Sequence, residues 1–263
     1  MKYIAITGAY GGMGYATTKR LVEQGYTVFA LDKVVKEKEE NIIPIEFDIT
    51  NSKSIENAFN LISEKTEKLD AIIHFAGIYA LDSLIEISES EFKRIFEINL
   101  FGAYLVNKTF IPLLSNGSKI IITTSELAVL DPLPFTGLYA ITKSALDKYA
   151  YSLKMELQLL GISVSVLRAG AVSTGMLNVS TTALDNFVEK TTTYKCNAAR
   201  FKKVVDSVES KSVSPEKIAK KVSKILKKKH PKFAYKINRN KLLILLNILP
   251  KSWQFKIIKK ILK

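Results

Sequence analysis

The sequence predicts a doubly wound α/β fold, a parallel sheet covered by helices on both faces. Three observations predict it. Short, continuously apolar runs rich in β-branched residues alternate with helical stretches, as strands buried on both faces require. The first run ends in a glycine loop that opens a helix at once. The 263 residues, 47% of them apolar, suit one large α/β domain and exclude a disordered or collagen-like chain.

Tyr3–Ile6 reads as the first strand, and Tyr15–Gln24 as a helix stopped by Gly25. Thr27–Leu31 and Ile42–Phe47 are the next strands, Ser54–Glu67 a helix, and Ala71–Phe75 a fourth strand. Glu89–Phe110 reads as one long helix ending before Pro112, followed by the strand Lys119–Thr124. Thr142–Leu160 is helical, Gly161 stops it, and Ser163–Leu167 is the sixth strand. From Thr174 to Val213 the pattern is irregular. Ser214-Pro215 then caps a helix, with Ser at the N-cap and Pro at the first helical position. Phe233–Ile237 reads as a last strand, and residues 238–263 extend beyond it. Neither a repeat nor a linker interrupts the pattern.

The single cysteine, Cys196, excludes an intrachain disulfide and a cysteine-rich metal site, so a reducing, cytoplasmic setting and no metal are expected. Met1 and Lys2 run directly into the first strand, leaving no room for a targeting segment. The longest apolar stretch, Leu242–Leu246 and on to Leu249, falls short of the roughly 20 residues that span a bilayer.

Formal charge is +14 and unevenly placed. Residues 1–194 hold 18 Lys and Arg against 22 Asp and Glu, a net of −4. Residues 195–263 hold 21 against 3, a net of +18. Such a block reads as an interaction surface more readily than as a solvated face.

The loop Thr7-Gly8-Ala9-Tyr10-Gly11-Gly12-Met13-Gly14 lets the backbone turn tightly and approach a pyrophosphate. The following helix offers that anion its free N–H groups and the positive end of its dipole. Asp32 ends the second strand, where a carboxylate accepts hydrogen bonds from ribose hydroxyls and repels a 2′-phosphate. NAD is therefore favoured over NADP, although Lys33 and Lys36 lie close enough to keep NADP open. Tyr139 and Lys143 share a helical face at i, i+4, and a cation beside a phenol favours its ionised form. Ser125 lies just past the strand Lys119–Thr124, at the carboxyl end where such sheets bind ligands.

With these residues the chain resembles the short-chain dehydrogenase/reductase family, in its single-domain branch, over residues 2 to about 237. The family's TGxxxGxG stands as Thr7-Gly8…Gly12-Met13-Gly14, and its adenine-contacting aspartate resembles Asp48 in Phe47-Asp48-Ile49. Asp70 resembles its sheet-stabilising aspartate, and Asn99 in Ile98-Asn99-Leu100 its water-holding asparagine. The resemblance implies a Rossmann-like sheet and reversible hydride transfer between a nicotinamide and an alcohol carbon. Ser125 would orient the substrate oxygen, Tyr139 exchange its proton, Lys143 hold the nicotinamide ribose, and Asn99 seat a proton-relay water. Gly8, Gly12, Met13, Gly14, Asp32, Asp48, Ile49, Ala76, Gly77, Val172 and Thr174 would line the cofactor with Tyr139 and Lys143. The family also implies a homodimer or homotetramer.

Two departures stand out. The family's Asn-Asn-Ala-Gly is His74-Phe75-Ala76-Gly77, and its Pro-Gly is Ala169-Gly170. Phe75 reads as a packing substitute and His74 as a satisfied core histidine. In the family the stretch 174–213 is the substrate lid, where Met176, Leu177, Leu184, Phe187 and Val188 either line an apolar pocket or pack as core.

At 100° per residue, Trp253, Phe255, Ile257, Ile258, Ile261 and Leu262 fall within an arc of about 200°, opposite Lys256, Lys259, Lys260 and Lys263, with Gln254 intruding. Three partners compete for this basic amphipathic helix: an anionic membrane surface first, the protein's own body or a dimer mate second, nucleic acid last. The expectation is an NAD(H)-preferring alcohol dehydrogenase or ketoreductase acting on an apolar substrate. The rival is a dinucleotide-binding redox sensor or scaffold without catalysis.

Overall fold

The computed structural model describes residues 2–209 and 212–263, with the backbone alone for 176–181 and 208–209. Among the described residues one parallel sheet holds seven strands: β1 Lys2–Thr7, β2 Tyr26–Asp32, β3 Ile42–Glu46, β4 Ala71–His74, β5 Lys119–Ser125, β6 Ser163–Ala169 and β7 Ala234–Ile237. Their order is β3-β2-β1-β4-β5-β6-β7, with Thr7 beside His74 and Ser125 beside Ala169 in register. The order reverses between β1 and β4, which opens a crevice at the carboxyl ends of those strands. Alternate strand residues feed two buried layers: Ala5 and Ile72 pack on one face, Ile4, Ile6 and Ile73 on the other.

The helices are α1 Gly12–Val22, α2 Ser52–Ser63, α3 Glu89–Phe96, α4 Gly102–Phe110, α5 Gly137–Leu157, α6 Gly175–Lys190, α7 Lys195–Glu209, α8 Pro215–Leu226, α9 Lys241–Ile248 and α10 Lys251–Leu262. Local chemistry sets several ends. Asn51 accepts the amides of Lys53 and Ser54 at the start of α2. Ser88 accepts that of Glu91 at the start of α3. Gly161, at φ 71°, ends the run after α5.

The structure departs from the expected elements in three places. The predicted helix Glu89–Phe110 is broken by a π-turn at Glu97–Phe101 and tightens into a 3₁₀ turn around Pro112. The π-turn carries Asn99, and Gly102 just after it packs so closely on Ile49 that a Cβ would stand 2.6 Å from that side chain. The helix bearing Tyr139 starts at Gly137, one turn earlier than Thr142.

Residues 174–213, irregular in sequence, fold largely into α6 and α7. Leu184 and Phe187 are buried there against Phe201, and Val188 is half-buried. That is the core alternative for these three, while the side chains of Met176 and Leu177 lie outside the described residues. Glu86 fixes the turn between α6 and α7 by accepting from Thr191, Thr192 and Thr193, which holds its carboxyl at about 2.

The amphipathic end lies on the protein's own lid. Gln254 and Leu262 of α10 are buried, with Ile258 half-buried between them, all one turn apart on one face. Asn197 and Arg200 of α7 donate to the Leu262 carbonyl. Gln254 belongs to the apolar arc because its amide donates to the Leu249 carbonyl at 2.9 Å. The four lysines face outward.

Candidate active site

Strand β5 delivers Ser125 at its end, and α5 crosses beneath to deliver Tyr139 and Lys143. A buried ion pair fixes that crossing: Arg168 of β6 grips both carboxylate oxygens of Asp147 of α5 through Nε and Nη2, at 2.9 and 2.7 Å. Thr124 adds a hydrogen bond to the same carboxylate. The Tyr139 hydroxyl bonds to Ser125, while its ring lies 4.9 Å from that of Tyr79. Lys143 Nζ donates to the Thr123 carbonyl at 3.4 Å and stands 5.7 Å from the Tyr139 ring centre.

Burial dominates both ionisations. It pushes the Tyr139 phenol up to about 12, with the Ser125 hydrogen bond opposing it, and drives Lys143 down to about 8. The sequence expectation of a phenol eased toward ionisation by its lysine is not met in the chain by itself. Nζ donates to a backbone carbonyl, and burial weakens the ammonium too.

Asn99 secures the loop in front of these residues. It accepts the Ile78 amide at 2.8 Å and donates to the Ile78 carbonyl at 2.9 Å and to Thr142. A Cβ on Gly77 would lie 3.1 Å from Asn99 Oδ1 and 3.3 Å from Lys143 Nζ, so those two polar atoms flank one small space.

The glycine loop forms the cradle its spacing promised. Gly8 adopts φ +68°, and a Cβ there would meet the Ala76 backbone at 2.6 Å. At Gly12 a Cβ would strike Thr174, which starts the lid, at 2.6 Å. At Gly14 it would stand 2.0 Å from the Gly8 carbonyl oxygen. Only bare backbone lets β1, the lid start and the first turn of α1 converge, and the uncapped amides of α1 are left to bind an anion. These residues fit a dinucleotide. Gly14→Ala is expected to displace the loop and lower turnover about a hundredfold, with NADH affinity falling in step by fluorescence titration.

Asp32 accepts the amides of Tyr10 and Lys33, each at 2.8 Å, which leaves its carboxylate further lone pairs. Lys33 pairs with Asp48 at 2.8 Å, and Lys36 lies 4.0 Å from the Tyr15 ring centre. Asp48 also takes two hydrogen bonds from Thr50 and its carboxyl sits below the usual range; burial pushes it up, and Lys33 and Thr50 more than offset that. Ile49 is buried beside it. Asp70 accepts the Tyr3 amide at 2.8 Å, tying β4 to β1.

A cavity of about 550 Å³ opens above Ser125, Tyr139 and Lys143. Met13, Gly77, Val172 and Thr174 border it, whereas Asp32 and Asp48 sit apart at the ends of β2 and β3. The predicted residues thus form a reaction end and a distant carboxylate end, joined by the glycine loop.

His74 and Phe75 serve packing. Phe75 is buried in the layer beneath the loop. His74 Nε2 meets Asn107 Oδ1 at 2.9 Å, Asn107 donates onward to Tyr149, and His74 Nδ1 is buried with no hydrogen-bond partner. Burial drives this imidazole down to about 4, with the Asn107 bond opposing, so it is neutral at physiological pH.

Sequence reasoning missed one wall. Glu126, next to Ser125, accepts the Asn240 amide at 2.7 Å and borders the cavity with residues 238–243. Burial raises its carboxyl, with the Asn240 amide and the Arg239 charge opposing. Gly170 is required because a Cβ would stand 1.9 Å from the Asn238 carbonyl. Residues 238–243 lie beyond the minimal fold, so no motif marked them.

Comparison with known proteins agrees with this fold. The short chain dehydrogenase family model matches residues 2–185. The probable short-chain type dehydrogenase/reductase VdlC of Helicobacter pylori is 29% identical over 256 residues, covering 94% of this chain and 93% of its own. The 3-ketodihydrosphingosine reductase of Bacteroides thetaiotaomicron is 26% identical over 235 residues, covering 89% and 87%. A short chain dehydrogenase family protein from Francisella tularensis has the same fold, with a TM-score of 0.76, 22% identity and coverage of 90% and 97%. The protein belongs to the short-chain dehydrogenase/reductase family of NAD(P)-dependent oxidoreductases.

Proposed function

We propose that the protein interconverts a secondary alcohol and a ketone on an apolar, lipid-like substrate, with NAD(H) preferred. The observation that carries this is the hydrogen-bonded pair Ser125 and Tyr139 at the floor of the cavity, with Lys143 beneath and the glycine cradle alongside. A bound nicotinamide supplies the redox chemistry. Ser125 Oγ orients the substrate oxygen, and Tyr139 passes a proton to or from it. Lys143 holds positive charge at the ribose side, and Asn99 positions the Ile78 loop and the space beside Lys143 through which protons exchange with solvent.

The apolar-substrate reading rests on the cavity's Phe75, Leu127, Leu133, Phe201, Val204 and Leu243. The 3-keto lipid in the name of the Bacteroides relative supports it. NAD preference rests on Asp32 and on the engagement of Lys33 with Asp48 and of Lys36 with Tyr15. The reading includes a homo-oligomer, supported by the exposed Phe101, Tyr151, Met155 and Leu159. It also includes a cytoplasmic setting peripheral to an anionic membrane. Among the described residues no helix is long and apolar enough to cross one.

The test is reduction of NAD and of NADP with a panel of long-chain and short secondary alcohols. Long-chain alcohols with NAD are expected to react best. Asp32→Ser is expected to narrow the NAD over NADP ratio of kcat/KM by about tenfold or more, through loss of a charged hydrogen bond and of repulsion. A wild type that prefers NADP, or short polar alcohols, sinks the respective part of the reading.

A further inference from the structure

We propose that α9 inserts into the surface of an anionic bilayer, so that the catalytic cavity opens at the lipid. The proposal rests on the apolar-substrate reading above and adds where that substrate is collected.

The helix has two sides. Leu243 is buried and borders the cavity, whereas Leu245 and Ile248 are 60% and 73% exposed. Leu242 borders the cavity while 67% exposed, which puts it at the mouth. Exposed single leucines are ordinary, but three long apolar side chains along one side of an eight-residue helix form a patch. The polar attachments of α9 all lie on the protein side. Glu126 holds the Asn240 amide, Asn240 caps the helix, and Asn247 accepts the Asp131 amide at 2.6 Å. The helix is anchored from behind and free in front.

The surrounding charge selects the occupant. Residues 241–263, which form α9 and α10, hold six lysines and no acidic residue. Lys256, Lys259, Lys260 and Lys263 face outward on α10, flanked by Trp253 and Phe255 at 60% and 69% exposure. An apolar helix beside dense positive charge with interfacial aromatics complements acyl chains beneath anionic headgroups. A second copy seated on the same patch would set the lysines of α9 and α10 against their own copies, the like-charge arrangement that interfaces avoid.

The test uses the full chain in flotation with phosphatidylcholine vesicles, with and without phosphatidylglycerol. Binding is expected only to the mixed vesicles, weakening as salt rises. The variant L245S/I248S is expected to lose about tenfold or more in partitioning, with NADH binding and circular dichroism unchanged. In a Cys196→Ser background, a fluorophore on Leu242→Cys or Leu245→Cys is expected to be quenched by acyl-chain nitroxides, and one on Lys217→Cys is not. Three outcomes overturn the proposal: no binding to the mixed vesicles, undiminished binding of the double variant, or loss of self-association in that variant with vesicle binding intact. The last assigns the patch to a second copy. None of these readouts uses turnover, so failure of the redox reading and failure of this one are separable.

Discussion

Tyr139→Phe is expected to lower kcat by about a hundred- to ten-thousandfold while NADH affinity changes by less than about tenfold. The change deletes one hydroxyl and keeps the ring, so the packing against Tyr79 at 4.9 Å survives. Ser125 still accepts the Leu127 amide at 3.2 Å, so no new structural hole forms. What is lost is the phenol hydrogen-bonded to Ser125 at the floor of the cavity. Alcohol oxidation requires the phenol to give up its proton, and burial holds that proton on, at about 12. The wild-type oxidation rate is therefore expected to rise with pH below that value, and the residual rate of the variant to lose the dependence. Stopped-flow turnover across pH, with a parallel NADH titration, checks both. Equal activity of the two proteins removes Tyr139 from the chemistry. A wild type inert on the whole alcohol panel while binding NADH favours a sensor or scaffold.

Acid is expected to unfold this protein partly through His74, and His74→Asn to remove that part. The folded imidazole sits at about 4, against about 6.5 when unfolded. Between those values the unfolded chain binds a proton that the folded one refuses, so stability rises with pH across the window and falls as pH drops through it. The shift corresponds to about 3 kcal/mol once pH reaches the folded value. Urea denaturation at neutral pH and near pH 4.5 measures it. The variant is expected to lose less stability between the two conditions than the wild type. Equal losses mean that the imidazole is not the group being titrated.

Much of the reaction end was legible in the chain order of a few residues. Glycines at 8, 12 and 14 announce a bare-backbone cradle because each site lacks room for a Cβ, and that need is written in residue type. Asp32 was legible because a strand end is a fixed place relative to a glycine loop. The i, i+4 spacing of Tyr139 and Lys143 was legible because helical geometry is local. The long-range contacts were not. The π-turn at Glu97–Phe101 answers to Ile49 and Ile78, which are distant in sequence, so the periodicity of the segment shows only a continuous helix. The turn of the lid into α6 and α7 was hidden because its threonines weaken the pattern while Phe135, Phe187 and Phe201 supply the packing.

The sequence by itself determined the parallel sheet, the tight glycine turn, the candidate set of Ser125, Tyr139 and Lys143, and the division of charge between body and tail. Each depends on local periodicity, residue type or composition. Only the tertiary structure decided that burial, rather than the neighbouring ammonium, governs the phenol of the chain by itself, since desolvation depends on everything packed around it. It also decided the fate of the tail. One amphipathic arc is compatible with a membrane, a partner or the chain's own lid, and a helix buries whichever apolar surface lies closest. For α10 that surface is α7, which turns the lysines outward and leaves α9 as the exposed apolar wall of the cavity.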